Sequence, residues 1–324
     1  MKNTKKLLKC PCCLSHLIPG NVKYAKRTDN PNWENQLFNK KTLVKCISCE
    51  SIFLREVITD ADLNSFYNDV YKEKEKQNKN KSYPNTNFEI FPRSLSQANF
   101  INTMIDLKNG IEVLEIGPNE VGMIASLNLF KKIKYFYIDQ NNYPIINYFG
   151  GKNLAQYFST QTSISNRKFD LIALSHSLEH FNPSTLNNSI NFIYKSLKKD
   201  GSVFIEVPNE TISTKTLHKP HTIFFSVKGI FNLLERNKFT IVSMQITNNS
   251  KSQKPKKYFF QAINIFTKIL IKIFKPPILI RKFFFSKIIM LTLKNYSTNY
   301  DGRSFLRIIA QKSNSFDNEI NHIT

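Results

Sequence analysis

The stretch Ile111-Glu-Val-Leu-Glu-Ile-Gly117 decides the fold class of this 324-residue chain. Its first six residues are largely apolar and predict a short strand of the kind that a parallel sheet buries on both faces. They lead into a turn that starts at Gly117, and then into a predicted helix that ends at Phe130. The next predicted strand, 134–139, ends on an acid, Asp139. A strand, a glycine turn, a helix and a strand that ends on an acid are typical of a nucleotide-binding α/β unit.

The same alternation continues along the chain. Further strands are predicted near 152–158 and at 169–174, 202–207, 239–246 and 303–311. Helices are predicted at 94–107, 183–197 and 226–237, with Ser226 as the N-cap of the last. Strands that alternate with helices predict an α/β fold with a doubly wound parallel sheet.

Three segments share their pattern and order with known sequence motifs. They are Val113-Leu-Glu-Ile-Gly-Pro118, Phe169-Asp-Leu-Ile-Ala-Leu-Ser-His-Ser-Leu-Glu-His180 and Leu197-Lys-Lys-Asp-Gly-Ser-Val-Phe-Ile-Glu-Val-Pro-Asn209. They resemble the first-, fourth- and fifth-strand motifs of class I S-adenosylmethionine-dependent methyltransferases, in the subgroup of ubiquinone-type and sugar methyltransferases. The resemblance continues through 221–226 and 233–239. It implies a Rossmann-like seven-stranded sheet whose last strand is antiparallel, with S-adenosylmethionine as the cofactor.

The carboxyl ends of the strands are the predicted cofactor site, because ligands of such sheets bind there. Gly117 lets the backbone approach the ligand closely, and Asp139 is placed to accept hydrogen bonds from ribose hydroxyls. Asn119 stands where the family's loop usually has a later glycine, and Asn tolerates positive φ better than most residues. The predicted cofactor-binding residues are Glu115, Gly117, Asn119, Asp139, Ser175 and His176.

Four of the six histidines follow the fourth and fifth strands: His176, His180, His218 and His221. Methyl transfer needs a positioned nucleophile, and an oxygen nucleophile also needs a base, most often histidine. His221 is the first choice for a base or acceptor ligand, since substrate-facing loops follow the fifth strand, and His180 and His176 complete the predicted catalytic set. The alternative for each is a structural role. Glu179 is expected to orient a helix start or a histidine.

All five cysteines lie within the first 49 residues. Cys10 and Cys13 form one Cys-x-x-Cys knuckle, and Cys46 and Cys49 form another. Two such knuckles predict a tetrahedral four-thiolate site for a structural Zn²⁺ ion, with no open position for catalysis. Cys12 falls at an x position and is not a predicted ligand. The alternatives are a redox pair or unrelated buried thiols.

Five regions are predicted along the chain. They are a zinc-ribbon-like segment at 1–58, a linker with a short helix at 59–90, a methyltransferase domain at 91–249 and 301–313, a basic amphipathic helical insertion at 250–300, and a disordered tail at 314–324. The short helix is expected at 60–71. Its aromatic residues Phe66, Tyr67 and Tyr71 either pack on the domain or lie at the mouth of the cofactor site.

The net charge of +22 indicates an anionic partner or compositional drift. The insertion combines lysines with a wide apolar surface, which suits either the interface of an anionic membrane or a helical cap on protein. Neither a signal peptide nor an uncharged apolar run of about 18 residues is recognisable. The protein is therefore expected in the cytoplasm, with a possible peripheral contact on the inner face of the membrane.

These features together predict a methyltransferase that acts on a small or lipid-linked acceptor. The favoured acceptor is a sugar or surface-polysaccharide precursor, followed by a quinone-like phenol, and both rest on the resemblance. One alternative is a nucleic-acid-binding or nucleic-acid-modifying protein, which the charge and the zinc segment would fit. The other is a catalytically degenerate scaffold, because only Gly117 clearly matches the family's glycine loop.

Overall fold

The computed structural model of the protein describes residues 5–19, 22–25, 38, 41–67, 92–118, 122–139, 155–158, 164, 166–209, 221–247 and 305–313. The predicted insertion at 250–300 and tail at 314–324 lie outside these residues, as do Asn119 and His218. No helix in the described ranges is long and apolar enough to cross a membrane.

The strands are β1 (Val22–Ala25), β2 (Leu43–Cys46), β3 (Ile52–Leu54), β4 (Ile111–Ile116), β5 (Ile133–Ile138), β6 (Ala155–Phe158), β7 (Phe169–Ser175), β8 (Leu197–Pro208), β9 (Ile223–Phe224), β10 (Phe239–Thr247) and β11 (Phe305–Lys312). The helices are α1 (Asp60–Ser65), α2 (Pro92–Met104), α3 (Gly122–Phe130), α4 (Leu186–Ser196) and α5 (Val227–Arg236).

Seven strands form one sheet in the order β10-β11-β8-β7-β4-β5-β6. The neighbours from β8 to β6 pair in parallel, whereas β11 lies antiparallel between β8 and β10. The predicted Rossmann-like sheet with an antiparallel last strand is thus confirmed. Because parallel strands end at one edge, the residues that follow β4, β5 and β7 meet there.

Burial explains why these segments fold as they do. Strand β7 is covered on both faces, with Leu171 to Leu174 fully buried, as expected in the middle of a parallel sheet. Helix α4 buries Leu186, Ile190 and Ile193, spaced by four and three residues, against that sheet. The apolar pattern read from the sequence therefore corresponds to the core.

Element boundaries shift where side chains compete with the regular backbone. Helix α4 begins at Leu186, after the predicted start at Pro183, because the Asn182 side chain accepts hydrogen bonds from the amide and hydroxyl of Ser184 at 3.1 and 2.9 Å. Strand β8 begins at Leu197, before the predicted start at Ser202, and its register against β7 shifts over the intervening residues.

A smaller antiparallel sheet, in the order β1-β2-β3-β9, joins the N-terminal segment to the large domain. Residues Ile52 and Phe53 of β3 pair with Phe224 and Ile223 of β9, which lies far downstream in the chain. The cysteine-bearing segment is therefore completed by a strand from the methyltransferase part. The predicted boundary at residue 58 stays a prediction.

Arg236, at the end of α5, makes a second set of contacts with the cysteine-bearing segment. Its guanidinium donates to the carbonyl oxygens of Cys12 at 2.8 Å and Pro11 at 2.5 Å, and also to the side-chain oxygen of Asn187. At the other end of α5, Ser226 is the predicted N-cap and accepts from the amide of Gly229 at 2.8 Å. Both ends of one helix thus hold the cysteine-bearing segment, because the Ser226 hydroxyl also donates to the carbonyl of Cys49.

Replacing Arg236 by Lys is expected to lower the free energy of unfolding by about 1–3 kcal/mol. The single ammonium group of Lys cannot make all the hydrogen bonds that the planar guanidinium donates, so buried carbonyl groups would lose their donors. Urea denaturation measures the change. Lys228→Ala, at an exposed position of the same helix, is the control and should leave stability within about 0.5 kcal/mol. An equal loss in both variants would show that the contacts of Arg236 contribute nothing specific.

Candidate active site and metal centre

The turn after β4 requires glycine at position 117. Gly117 has a φ of +70°, which L side chains rarely adopt, and its amide donates to the carbonyl of Ile138 at 2.8 Å. A Cβ atom at this position would lie 2.9 Å from the Cβ of Ser177, which is closer than side chains tolerate. The turn after β4 and the segment after β7 are therefore in direct contact at the predicted cofactor site.

Two acidic side chains lie at the ends of the neighbouring strands β4 and β5. Glu115 is buried and accepts a hydrogen bond from the Tyr135 hydroxyl at 2.7 Å. Burial, which the hydrogen bond from Tyr135 only partly offsets, raises the pKa of Glu115 to about 7, and the charge of Asp139 adds to this rise. Asp139 itself is half-buried directly after β5.

Glu206, which is fully buried in β8, connects the predicted site to three other elements. Its carboxylate accepts from Nε2 of Gln97 on α2 at 2.6 Å and from Arg307 on β11, and it lies 3.1 Å from Nε2 of His176. Gln97 also donates to the hydroxyl of Ser175 at 2.8 Å. Ser175 and His176, both predicted cofactor contacts, are thus anchored from the interior of the domain.

His176 occupies an unusual backbone conformation at the end of β7. Its φ is +55°, and its amide donates to the carbonyl of Glu206 at 2.9 Å. Burial alone would lower the pKa of His176, but the two carboxylates beside its ring, Glu179 at 3.5 Å and Glu206 at 3.1 Å, outweigh it and raise the pKa to about 8. The ring is therefore charged near neutral pH and lacks the free lone pair of a base. Its catalytic role stays a prediction, and the geometry favours a positioning role.

A second group of polar side chains lies beyond His176. It consists of Glu179 and His180, which follow β7, and His221, which precedes β9. The two histidine rings are in edge contact with their centroids 4.9 Å apart, and the amide of Thr222 donates to the carbonyl of Glu179 at 2.9 Å. The hydroxyl of Tyr67, which follows α1, lies 2.7 Å from Nδ1 of His180. Tyr67 thus packs against His180, and its place at the mouth of the cofactor site stays a prediction.

Glu179 and His180 differ in charge at neutral pH. Burial would raise the pKa of Glu179, but the positive charge of His176, whose Nδ1 lies 3.5 Å from Oε1 of Glu179, holds that pKa at about 2. Burial lowers the pKa of His180 to about 3, although the charge of Glu179 opposes this shift. At neutral pH a buried carboxylate therefore lies beside a neutral imidazole.

The four predicted zinc ligands come together in the N-terminal segment. The sulfur atoms of Cys10 and Cys49 are 3.6 Å apart, and those of Cys13 and Cys46 are 3.7 Å apart. A tetrahedron with Zn–S bonds of 2.3 Å has edges of about 3.8 Å. The cluster is therefore consistent with a structural zinc site, and Cys12 is buried outside the group.

Both knuckles have the same backbone form. Leu14 and Glu50, directly after each second cysteine, have φ values of 61° and 66°. The amide of Leu14 donates to the carbonyl of Cys10 at 2.9 Å, and that of Glu50 to the carbonyl of Cys46 at 2.8 Å. Each turn points two sulfur atoms the same way, which is the preorganisation that a structural metal site needs.

Sequence reasoning missed the group around Glu206, namely Gln97 and Arg307. The available signal was an acid inside the apolar run 202–207 and an arginine inside the last predicted strand, since a strand covered on both faces can hold a charge only if it is paired. Which charges pair depends on strand order, and strand order is set by the tertiary fold.

Residues 91–244 match the protein-family model described as "Methyltransferase domain". This part of the chain is a class I S-adenosylmethionine-dependent methyltransferase domain, and the prediction of a methyltransferase is confirmed. The finer assignment to a subgroup stays a prediction. No curated protein matches the chain significantly.

Among solved structures, the chain is similar to 1,6-didemethyltoxoflavin-N1-methyltransferase from Burkholderia thailandensis. The identity is 12%, the TM-score is 0.48, and the match covers 86% of this chain and 99% of that chain. It is also similar to the plantazolicin methyltransferase BpumL in complex with SAH, with 17% identity, a TM-score of 0.44 and coverage of 78% and 93%.

Replacing Glu115 by Gln tests its raised pKa, because Gln keeps an acceptor for Tyr135 but cannot ionise. The pKa of Glu115 is about 7 in the folded protein against an ordinary 4.5. Below pH 4.5 the carboxyl of Glu115 is neutral in both states and does not lower the free energy of unfolding. As the pH rises from 4.5 to 7, only the unfolded state ionises, so the free energy of unfolding falls. At about 1.4 kcal/mol per pKa unit, the variant should exceed wild type by about 3 kcal/mol above pH 7 and equal it near pH 4.

Urea denaturation across this pH range, without cofactor, measures the difference in the free energy of unfolding. Parallel pH profiles for the two proteins would contradict the raised pKa.

Proposed function

We propose that this methyltransferase transfers the methyl group of S-adenosylmethionine to a small or lipid-linked acceptor, with a sugar or surface-polysaccharide precursor as the favoured acceptor and a quinone-like phenol as the next. The observation that carries the proposal is the contact of Gly117 with Ser177. It joins the predicted cofactor turn to the segment that bears Glu179 and His180. A donor site and a histidine cluster then adjoin at one edge of the sheet.

On the donor side, the residues present fit the cofactor. Gly117 keeps the turn free of a side chain, and Asp139, directly after β5, would accept hydrogen bonds from the ribose hydroxyls. Glu115, Ser175 and His176 line the ends of adjacent strands and complete the proposed contacts within the described residues. The cofactor supplies an electrophilic methyl group on a sulfonium, and the protein positions the acceptor in line with it.

On the acceptor side, His221 is our choice for the residue that binds or deprotonates the acceptor. It precedes β9, it contacts the ring of His180, and its side chain is only half-buried. His180 is held neutral by burial, and the Tyr67 hydroxyl, 2.7 Å from its Nδ1, fixes the orientation of its ring. These neighbours would orient His221 toward the acceptor.

The contact with an anionic membrane stays a prediction, because it rests on the composition of 250–300 alone. It would suit a lipid-linked acceptor. Nucleic acid remains the less favoured partner: the charge and the zinc-like segment are compatible with it, but no interleaved aromatic and basic strand surface is recognisable in the sequence.

The first test is the binding of S-adenosylhomocysteine, measured by calorimetry. Wild type should bind, and Asp139→Ala should weaken binding by about 10- to 100-fold, the cost of losing charge-assisted hydrogen bonds. Asp200→Ala, at an exposed position of β8, is the control and should bind like wild type. Failure of wild type to bind would favour the degenerate scaffold.

The second test is the variant His221→Ala. It should lose methyl transfer to the acceptor, measured with radiolabelled S-adenosylmethionine, while it keeps wild-type affinity for S-adenosylhomocysteine. His16→Ala, at an exposed histidine of the N-terminal segment, controls for the loss of an imidazole. Wild-type turnover in His221→Ala would overturn the assignment.

A further inference from the structure

Glu179, His180 and His221 form a second cluster of metal-ligating groups, separate from the four cysteines. One ligand atom from each residue lies within 4.8 Å of the other two. Thr222 links the two chain segments that supply them, since both its amide and its hydroxyl donate to the carbonyl of Glu179, at 2.9 and 3.1 Å. The three ligands are thus held close by the backbone and do not depend on a chance approach of side chains.

The carboxylate of Glu179 has unmet bonding capacity. The side chain is buried, with 1% of its surface exposed, and neither carboxylate oxygen makes a hydrogen bond within the described part of the chain. The charged ring of His176 lies next to it, with Nδ1 3.5 Å from Oε1. Burying a carboxylate costs several kcal/mol unless other groups compensate it. A cation between Glu179 and the two histidines would supply that compensation.

The surroundings of His180 match those of a metal-bound imidazole. Its Nδ1 lies 2.7 Å from the Tyr67 hydroxyl. Ligating histidines almost always donate their second ring N–H to an oxygen, which fixes the tautomer and the ring orientation. With the proton on Nδ1 and donated to Tyr67, Nε2 carries the lone pair that a cation requires.

We propose that Glu179, His180 and His221 bind one divalent first-row transition metal ion. Two imidazoles and a carboxylate suit Zn²⁺, Mn²⁺ or Fe²⁺, and three protein ligands leave coordination positions open, unlike the closed set of four thiolates. Bonds of about 2.1 Å place tetrahedral ligands about 3.4 Å apart. Because the ligand atoms now lie within 4.8 Å of one another, the side chains would move slightly closer together to bind the ion.

The open positions would take oxygen atoms of the acceptor, and this step rests on the proposed function. An acceptor with two neighbouring oxygens, such as a hydroxyl beside a second hydroxyl or a carbonyl, would chelate the ion. Binding to the ion lowers the pKa of the hydroxyl and orients it toward the methyl donor. The rival interpretation is a metal-free cluster in which the histidines only exchange protons.

A titration of the full-length protein with Mn²⁺ decides between them, because Mn²⁺ prefers oxygen and nitrogen ligands and leaves the thiolate site to Zn²⁺. Free Mn²⁺ is measured by electron paramagnetic resonance on protein that holds one Zn²⁺ per chain. We expect one Mn²⁺ per chain in wild type and at least tenfold weaker binding in Glu179→Gln and in His221→Ala. Glu235→Gln, at an exposed position of α5, should bind like wild type.

Absence of Mn²⁺ binding to wild type below millimolar concentration would overturn the site, and so would equal binding by all four proteins. Binding of S-adenosylhomocysteine and the thermal melting temperature show whether each variant is folded. Because His221 is only half-buried, we expect His221→Ala to disturb the fold less than a change at the buried Glu179.

The role of the ion toward the acceptor is tested separately, by turnover of zinc-loaded wild type with and without Mn²⁺. An increase of at least tenfold is expected, and no increase would overturn that role. The titration needs no acceptor. The proposed metal site can therefore be disproved even if methyl transfer is observed, and it can be supported even if no acceptor is methylated.

Discussion

The buried carboxylate of Glu206 is the interaction on which the arrangement of the site depends. It lies in the fully covered strand β8 and bonds to Arg307 on the antiparallel strand β11, to Gln97 on α2 and to His176 at the end of β7. Removing one partner of a buried ion pair leaves an uncompensated charge and typically costs about 3–5 kcal/mol. A single side chain of β8 therefore holds β7, β11 and α2 in place around it.

This anchoring has a direct consequence at the edge of the sheet. His176 adopts a positive φ at the point where β7 ends, and such a conformation persists only where the surroundings over-determine it. Its bonds to Glu206 and its ion pair with Glu179 provide that restraint. The residues that follow, up to His180, are thereby directed toward the turn at Gly117.

The cysteine-bearing segment contributes to the same site from the other side. Pairing of β3 with β9 fixes the chain next to His221, and Asn182 donates to the carbonyl of Ile58 at 2.7 Å, just before α1. Tyr67 follows α1 and reaches His180 from there. A structural metal in the four-cysteine cluster would thus support the histidine cluster through the backbone, although it would take no part in the chemistry.

The sequence alone determined the alternation of strands and helices, the fold class, the pairing of the two cysteine knuckles and the edge of the sheet at which Gly117, Asp139 and the histidines gather. These features follow from local patterns: apolar runs, turn glycines and short spacings between ligands. Only the tertiary structure decided that Glu206 meets Arg307, that Tyr67 meets His180 and that β9 completes the small sheet. Those contacts join residues about 100 or more positions apart, and they depend on strand order and on the burial of charge, which no local pattern encodes.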